Sequence, residues 1–376
     1  METNRAGQFL KQSTGYSSFK PCNLPPNPEI VYDAELMTLL STADRLLGRL
    51  DGVTQTLPNP NLFVAMYVRK EAVLSSQIEG TQASLTDVLN PEEAVEKKQA
   101  ISEVVNYVNA MNYGLDRLKE LPLSLRLIRE IHSRLLESGR GSQKNPGEFR
   151  STQNWIGPAG CTLTTATFVP PTVPDMKEAL YDLENFMQDD DDIPPLIKIA
   201  LIHAQFESIH PFLDGNGRMG RLMITFWLCE KGILSQPLLY LSYYFKRNRI
   251  EYYDRLMEVR ETGNWEQWLK YFLRGIAEVS EEAVETAKRI LALKAQCEEA
   301  LAGNNYIRYV DYFFEEPFIT KKSISKKFDI AQPTAGRIVD YFCEKGVLDD
   351  ITPNKERYKS YAFTKYINIL KAGTEL

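Results

Sequence analysis

The stretch IHPFLDGNGRMGR, residues 209–221, gathers a histidine, an aspartate, three glycines and two arginines within thirteen positions, residues that together could act on a phosphate. Gly215, Asn216 and Gly217 let the backbone approach a ligand closely and aim N–H groups outward, which makes an anion nest. A helix expected from about Gly217 to Glu230 would set the positive end of its dipole behind that nest. Arg218 and Arg221 are three apart, so both guanidinium groups leave one helix face, and each can grip phosphate oxygens with paired hydrogen bonds. Asp214 adds a hard carboxylate where Mg2+ would sit. His210 has an ordinary pKa of about 6.5 and can accept a proton near neutrality. A base, a metal ligand, an anion cradle and two clamps are what phosphoryl or nucleotidyl transfer requires, since such catalysis is mostly positioning and electrostatics.

Competing readings of the same letters are weaker. GNGRMG matches G-x-G-x-x-G, but a dinucleotide fold needs a strand before the first glycine, and here a helix and the turn His210-Pro211 precede it. Glu207 and His210 form one Glu-x-x-His pair, whereas a di-iron bundle needs two. Neither G-x-x-x-x-G-K-[ST] nor H-E-x-x-H occurs.

The elements that position this loop read as helices, so the fold class is mainly α. LIKIALIHAQFESI (196–209) is apolar nearly all round and belongs in the middle of a bundle. Residues 61–79 carry a stripe of Leu62, Phe63, Met66, Val73, Leu74 and Ile78 that stops at Gly80, and residues 124–138 repeat the pattern through Leu127, Ile128, Ile131 and Leu135. GCTLTTATFVPPTVP (160–174) is the exception: its Thr, Val and Phe content predicts a short β-hairpin. Asp189 to Asp192 read as a solvated loop before the buried helix. From about Asn304, a helix, a three-residue turn, a helix and two strands predict a winged helix-turn-helix. The expected divisions are 1–115 as an N-terminal helical lobe, 116–265 as the catalytic core, 266–303 as a helical connector, and 304–376 as the winged helix.

Composition narrows the class of protein. There are 376 residues, 43% of them hydrophobic, with 44 Lys+Arg against 50 Asp+Glu and a net charge of −6. This is globular composition, and it weighs against bulk electrostatic coating of nucleic acid. The five cysteines are odd in number and far apart, which argues against a disulfide framework and for a reducing cytoplasm. No stretch approaches 18 uninterrupted apolar residues, so no membrane partner is expected.

HPFLDGNGRMGR resembles the signature of Fic-domain proteins, H-x-F-x-[DE]-G-N-G-R-x-x-R, with no departure at a fixed position. The resemblance implies a Fic-type helical bundle with a β-hairpin flap, and transfer of AMP from ATP to a Ser, Thr or Tyr hydroxyl of a target protein. It implies His210 as the catalytic base and Asp214 as the Mg2+ ligand. The nucleotide-binding stretch is Gly215, Asn216, Gly217, Arg218, Met219, Gly220 and Arg221, with Asn216 adding an amide contact and the arginines holding the β- and γ-phosphates. Phe212 is a core anchor. Gly217 favours AMP transfer, because the kinase-like branch of the family carries lysine there. SSQIEG (75–80) fits the family's inhibitory pattern [ST]-x-x-x-E-[GN] through Ser75, Glu79 and Gly80. Glu79 would pair with Arg221 and compete with the γ-phosphate. The hairpin, through Thr165, Ala166, Thr167 and Phe168, would register a target segment by strand addition, against the alternative of a purely structural hairpin. In LSYYFKRNR (241–249), Tyr244 would stack on the base and Arg247 would reach the ribose or a phosphate, against the alternative of core packing. His203 and His132 read as structural histidines.

The partners that follow are a hydroxyl-bearing target protein and, by automodification, a copy of the chain itself; a homodimer follows from the resemblance. Two alternatives stay open. Glu79 could orient a water that removes AMP from a modified protein. The winged helix could bind DNA as a regulator, although residues 305–376 carry 12 Lys+Arg against 10 Asp+Glu, which does not favour it.

Overall fold

The computed structural model describes residues 5–55, 60–91, 94–355 and 359–372. The side chain of Leu62 and residues 356–358, expected in the helical stripe and in the wing, lie outside the described residues.

The N-terminal lobe opens with a hairpin that its helical expectation omits. Strands β1 (Gly7–Lys11) and β2 (Ser17–Pro21) pair antiparallel with Phe9 opposite Phe19. Helix α1 (Ala34–Gln55) buries Leu36, Leu40, Ala43, Leu47 and Leu50 at helical spacing. Helix α2 (Pro60–Ile78) runs up to Glu79, and the chain turns at Gly80, whose φ is +93°. Helix α3 (Leu85–Leu89) starts in a capping box of Ser84 and Asp87, and α4 (Lys98–Arg117) completes the lobe.

Helix α5 (Leu125–Leu135) is capped by Ser124, and α6 (Val173–Gln188) by Thr172. Helix α7 (Pro195–Ile209) is buried from Leu196 to Ile209, the central position its all-round apolar sequence demands, and it packs against α8 (Asn216–Glu230). Lys198 reaches back from α7 to Asp191 at 2.8 Å, so one of the four loop aspartates is paired. Short α9 (Ser242–Arg247) and α10 (Arg249–Thr262) follow.

The expected hairpin at 160–174 forms only one bridge, Ile156 to Phe168, with both hydrogen bonds at 2.8 and 3.0 Å. Between them the chain turns on itself through Thr162 and Thr165. Pro170 and Pro171 supply no N–H to a ladder, and Val173-Pro174 already begin α6, so a second strand cannot extend. The far side of this flap is held by β2, where the Phe19 amide donates to the Val169 carbonyl at 2.9 Å.

The stretch expected as a connector is a core element. Helix α11 (Trp265–Ala300) is 36 residues long, and its first half buries Trp265, Trp268, Leu269, Tyr271, Phe272 and Ile276. Beyond it lie α12 (Val310–Glu315), β3 (Phe318–Thr320), α13 (Lys321–Phe328), α14 (Gln332–Glu344), β4 (Asp349–Asp350), β5 (Ser360–Ala362) and α15 (Thr364–Lys371). The three strands form an antiparallel sheet in the order β3-β5-β4, and α13 packs against α14. Helix α15 packs on α11, and the Lys70 ammonium of α2 donates to the Ala372 carbonyl at 2.8 Å, seating this module on the N-terminal lobe.

Candidate active site

Residue 210 ends α7 in the left-handed region, with φ 48° and ψ 60°. A non-glycine residue is strained there and persists only when its surroundings fix it. Three side chains do so, two of them buried. Arg150, 2% exposed, donates from Nε to the His210 carbonyl at 3.1 Å and from its amide to the Pro211 carbonyl at 2.8 Å. Asn154 donates to the His210 and Phe212 carbonyls at 3.1 and 2.9 Å. His132 on α5 accepts the Gly147 N–H at Nδ1 (2.9 Å), which leaves the proton on Nε2 for the Asp214 carbonyl, also at 2.9 Å. Its ring lies flat on Phe212, with centroids 3.6 Å apart and planes within 5°. Burial pushes His132 down to about 4, so it is neutral. The structural role expected of it is therefore specific: it supports the loop from below.

Asn216 departs from its expected amide contact with the nucleotide. It is 2% exposed, and its side chain closes a ring with the Phe212 backbone, accepting from the amide at 2.8 Å and donating to the carbonyl at 2.9 Å. Met219 is fully buried in the core, and Gly220 packs its backbone against Glu207 and His203, so the nest itself is Gly215 to Gly217. Gly215, with φ 78°, caps α8, and its amide donates to Asp214 Oδ1 at 2.7 Å. His203 is a core histidine, bonded to the Gly220 carbonyl at 3.0 Å and to the Tyr252 hydroxyl at 2.9 Å.

The two arginines differ in their partners. Arg218 is enclosed, 3.6 Å from Asp214 Oδ1, and none of its three guanidinium nitrogens has a hydrogen-bond partner. Arg221 donates from Nε to Ser75 Oγ at 2.8 Å, and from Nη2 to the Ser75 carbonyl at 3.0 Å and Glu79 Oε1 at 2.8 Å. Ser75 and Glu79, 142 and more residues away in sequence, thus meet the arginine at the end of the motif. Burial alone would raise the Glu79 carboxyl, but the charge and hydrogen bond of Arg221 outweigh it and hold Glu79 below the usual carboxylate range. Gly217 makes the contact feasible, since a β-carbon there would stand 2.4 Å from Glu79 Oε1.

A cavity of about 520 Å³ opens over this pair, with His210, Glu79, Gly217 and Arg221 on its floor. His210 Nδ1 is enclosed without a partner, and burial, helped by the charge of Arg260, pushes the ring down to about 3, so its proton-accepting form prevails at neutral pH. Thr167 and Phe168 of the flap form one wall, and Thr165 and Ala166 lie in the turn beyond. Burial pushes Glu207, another lining residue, up to about 7.

Tyr244 and Arg247 are not in this cavity. Tyr244 is 3% exposed, its ring against Gly275 and 5.0 Å from Tyr271, so no base can stack on it. Arg247 pairs with Glu278 on the surface. The aromatic and basic wall comes from the next helix, α10, as Arg249 and Tyr253, opposite Trp155. Tyr253 and Trp155 keep 40% and 44% of their surface exposed. The tyrosines of 240–253 share one apolar, aromatic texture, and only helix phase separates the inward from the outward ones. Arg150 and His132 carried no signal beyond their helix and loop context.

Comparison with known proteins agrees with this arrangement. Residues 37–116 match the Fic/DOC family N-terminal model, and residues 122–228 match the Fic/DOC family model. The protein adenylyltransferase Fic of Drosophila grimshawi is 29% identical over 210 residues, 54% of this chain and 39% of that protein. A probable protein adenylyltransferase of Aquifex aeolicus is 27% identical over 205 residues, 53% of this chain and 57% of the relative. The chain thus spans about two fifths of the length of the insect relative it matches. In fold it is similar to a Fic family protein from Desulfovibrio desulfuricans G20, with a TM-score of 0.57 at 19% identity, over 89% of this chain and 97% of the other. A Fic domain-containing signaling protein from Bacteroides thetaiotaomicron gives 0.50 at 18% identity, over 68% and 95%. With its motif loop, its helical bundle and both family regions in sequence, the chain belongs to the Fic/DOC family.

Proposed function

We propose that this chain transfers AMP from ATP to a hydroxyl of a protein segment, itself included, and that Glu79 restrains the reaction. The observation that carries the reading is the pair of arginines: Arg221 is held by a carboxylate of its own chain, while the guanidinium of Arg218 beside it has no hydrogen-bond partner. Two such groups suit a polyphosphate.

In this reaction neutral His210 takes the proton of the acceptor hydroxyl as its oxygen attacks the α-phosphorus. The bond from that phosphorus to the bridging oxygen breaks, and pyrophosphate leaves, steadied by Arg218, Arg221 and the nest amides. Among the described residues no three His, Cys, Asp or Glu side chains converge on a metal site. A Mg2+ ion fits Asp214 nonetheless, because it is commonly held by one carboxylate, waters and substrate phosphates. When bound, the ion neutralises phosphate charge. Gly217 keeps the orientation that exposes the α-phosphorus. The exposed flap threonines, Thr165 and Thr167, offer an edge on which an extended target segment would add. No disulfide joins any of the five cysteines, which supports a reducing, cytoplasmic setting. Because Glu79 and His210 line one cavity, the same groups could orient a water for removal of AMP.

ATP labelled separately at the α- and γ-phosphates tests the assignment. Glu79→Gly is expected to transfer the α label, onto itself included, at least tenfold faster than the unaltered chain, and His210→Ala to transfer none. Equal rates for Glu79→Gly and the unaltered chain would remove the inhibitory assignment. Transfer of the γ label would overturn AMP transfer, and release of AMP from modified protein would favour the reverse direction.

A further inference from the structure

The segment Gly139-Arg140-Gly141 joins the two halves of the site. Gly141 has a φ of +89°, and a β-carbon there would stand 2.9 Å from Asp214 Oδ2, so the turn lies against the carboxylate at the phosphate end of the loop. Gly139, with φ +80°, packs on Glu103 of α4. That carboxylate, 6% exposed, accepts the Arg140 amide at 3.4 Å and the Thr81 hydroxyl at 2.7 Å, fixing the turn and the inhibitory segment to one side chain. Between the glycines, the exposed guanidinium of Arg140 donates from Nη1 to the backbone carbonyl of Glu79 at 2.9 Å. Burial is the main cause that lowers the Arg218 pKa, and the positive charge of Arg140 adds to it, placing the two arginines in one field.

We propose that Arg140 is a third arginine of the polyphosphate site, which holds the Glu79 carbonyl until a terminal phosphate beside Arg218 takes the same guanidinium. The inference rests on ATP being the donor. Chemistry sets the direction of the exchange. A peptide carbonyl is a neutral acceptor, whereas a phosphate oxygen is charged, and hydrogen bonds to charged acceptors are roughly twice as strong. Arg140 is exposed and its side chain is long, so it can turn from one acceptor to the other without moving the Gly139–Gly141 backbone. Nucleotide entry therefore loosens the backbone of the inhibitory segment while the γ-phosphate competes for Arg221. Two arginines, one on each side of Glu79, make release depend on a full triphosphate.

Two measurements read this, neither requiring transfer. Calorimetric titration with ATP and Mg2+ should show affinity falling about tenfold from Glu79→Gly to Glu79→Gly/Arg140→Gln, with AMP affinity unchanged. In the otherwise unaltered chain, Arg140→Gln should speed amide hydrogen exchange at residues 79–81 several-fold at an unchanged melting temperature. Equal ATP affinity in the two variants overturns the phosphate role, and an equal loss for AMP does the same. Unchanged exchange overturns the hold on Glu79. No ATP binding even by Glu79→Gly would overturn the phosphate role together with the functional reading beneath it, whereas selective loss in the double variant supports both.

Discussion

At the scale of single residues the site turns on Glu79 and Arg221. A carboxyl held below its ordinary pKa contributes its pairing above the unfolded value, about 4.3, and loses it as pH falls through the folded one. Glu79 is therefore ionised and paired throughout the neutral range. The activity ratio of Glu79→Gly to the unaltered chain should stay constant between about pH 6 and pH 8, as rate profiles of both would show. Glu79→Gln, which removes the charge and keeps the shape, should release activity at pH 7; a glutamine that inhibits as well as glutamate would move the cause from charge to bulk. The residue chemistry of the loop was legible because base, carboxylate, glycines and arginines sit within a dozen positions. Asn216 was misread for an instructive reason: a buried amide next to a tight turn is as apt to satisfy backbone as ligand, and spacing does not distinguish the two.

Elements decide how precisely those residues are held. The loop is braced by α5 through His132 and by Arg150 and Asn154 from the segment after it. His132→Phe keeps a ring on Phe212 but leaves the Gly147 amide and the Asp214 carbonyl without their partner. Orphaned buried groups of this kind cost about 1–3 kcal/mol each. The variant should lower the melting temperature and weaken ATP binding, whereas His132→Gln, which can still donate to the Asp214 carbonyl, should recover part of the nucleotide affinity in a calorimetric titration. A melting shift with no change in ATP affinity would reduce His132 to a packing residue. Helices α2 and α5 were legible because each carries a 3.6-residue apolar rhythm and a stop or cap, and α7 because its apolar run is nearly unbroken from end to end. The flap was not. β-Rich composition predicted a hairpin, but proline positions and the start of α6 left room for one bridge, and its support comes from β2, some 150 residues earlier.

The molecule as a whole is organised along α11, whose 36 residues span about 54 Å. Near its start the Trp268 indole donates to the Ala200 carbonyl of the central helix at 2.9 Å, and further along it carries α15. The stretch 266–303 was expected only as a helical connector, because the partners that bury its first half, such as α1, are brought together only in the folded chain. The C-terminal module neutralises much of its own charge. Lys321 pairs with Asp340 at 3.1 Å, Lys327 with Glu315 at 3.6 Å, and Lys359 with Asp350 at 2.7 Å. Binding to duplex DNA, followed by fluorescence anisotropy, should therefore be weak and shallow in its salt dependence. An affinity that falls about a thousandfold between 50 and 200 mM salt would instead mark a reader of many phosphates, and would make the C-terminal module a DNA-binding element.

The pairing of Glu79 with Arg221 has a genetic consequence on the proposed reading. The two partners are not equivalent as targets of mutation. Losing the glutamate frees an arginine that the nucleotide needs, and losing the arginine removes the clamp along with its restraint. A selection for overactive alleles should gather changes at Glu79 and its neighbours in the inhibitory segment and none at Arg221, whereas a selection for silent alleles should strike Arg221 freely. Second-site suppressors follow the same asymmetry. An overactive Glu79 allele can be silenced at Arg221, but no change at Glu79 can revive a chain that has lost Arg221.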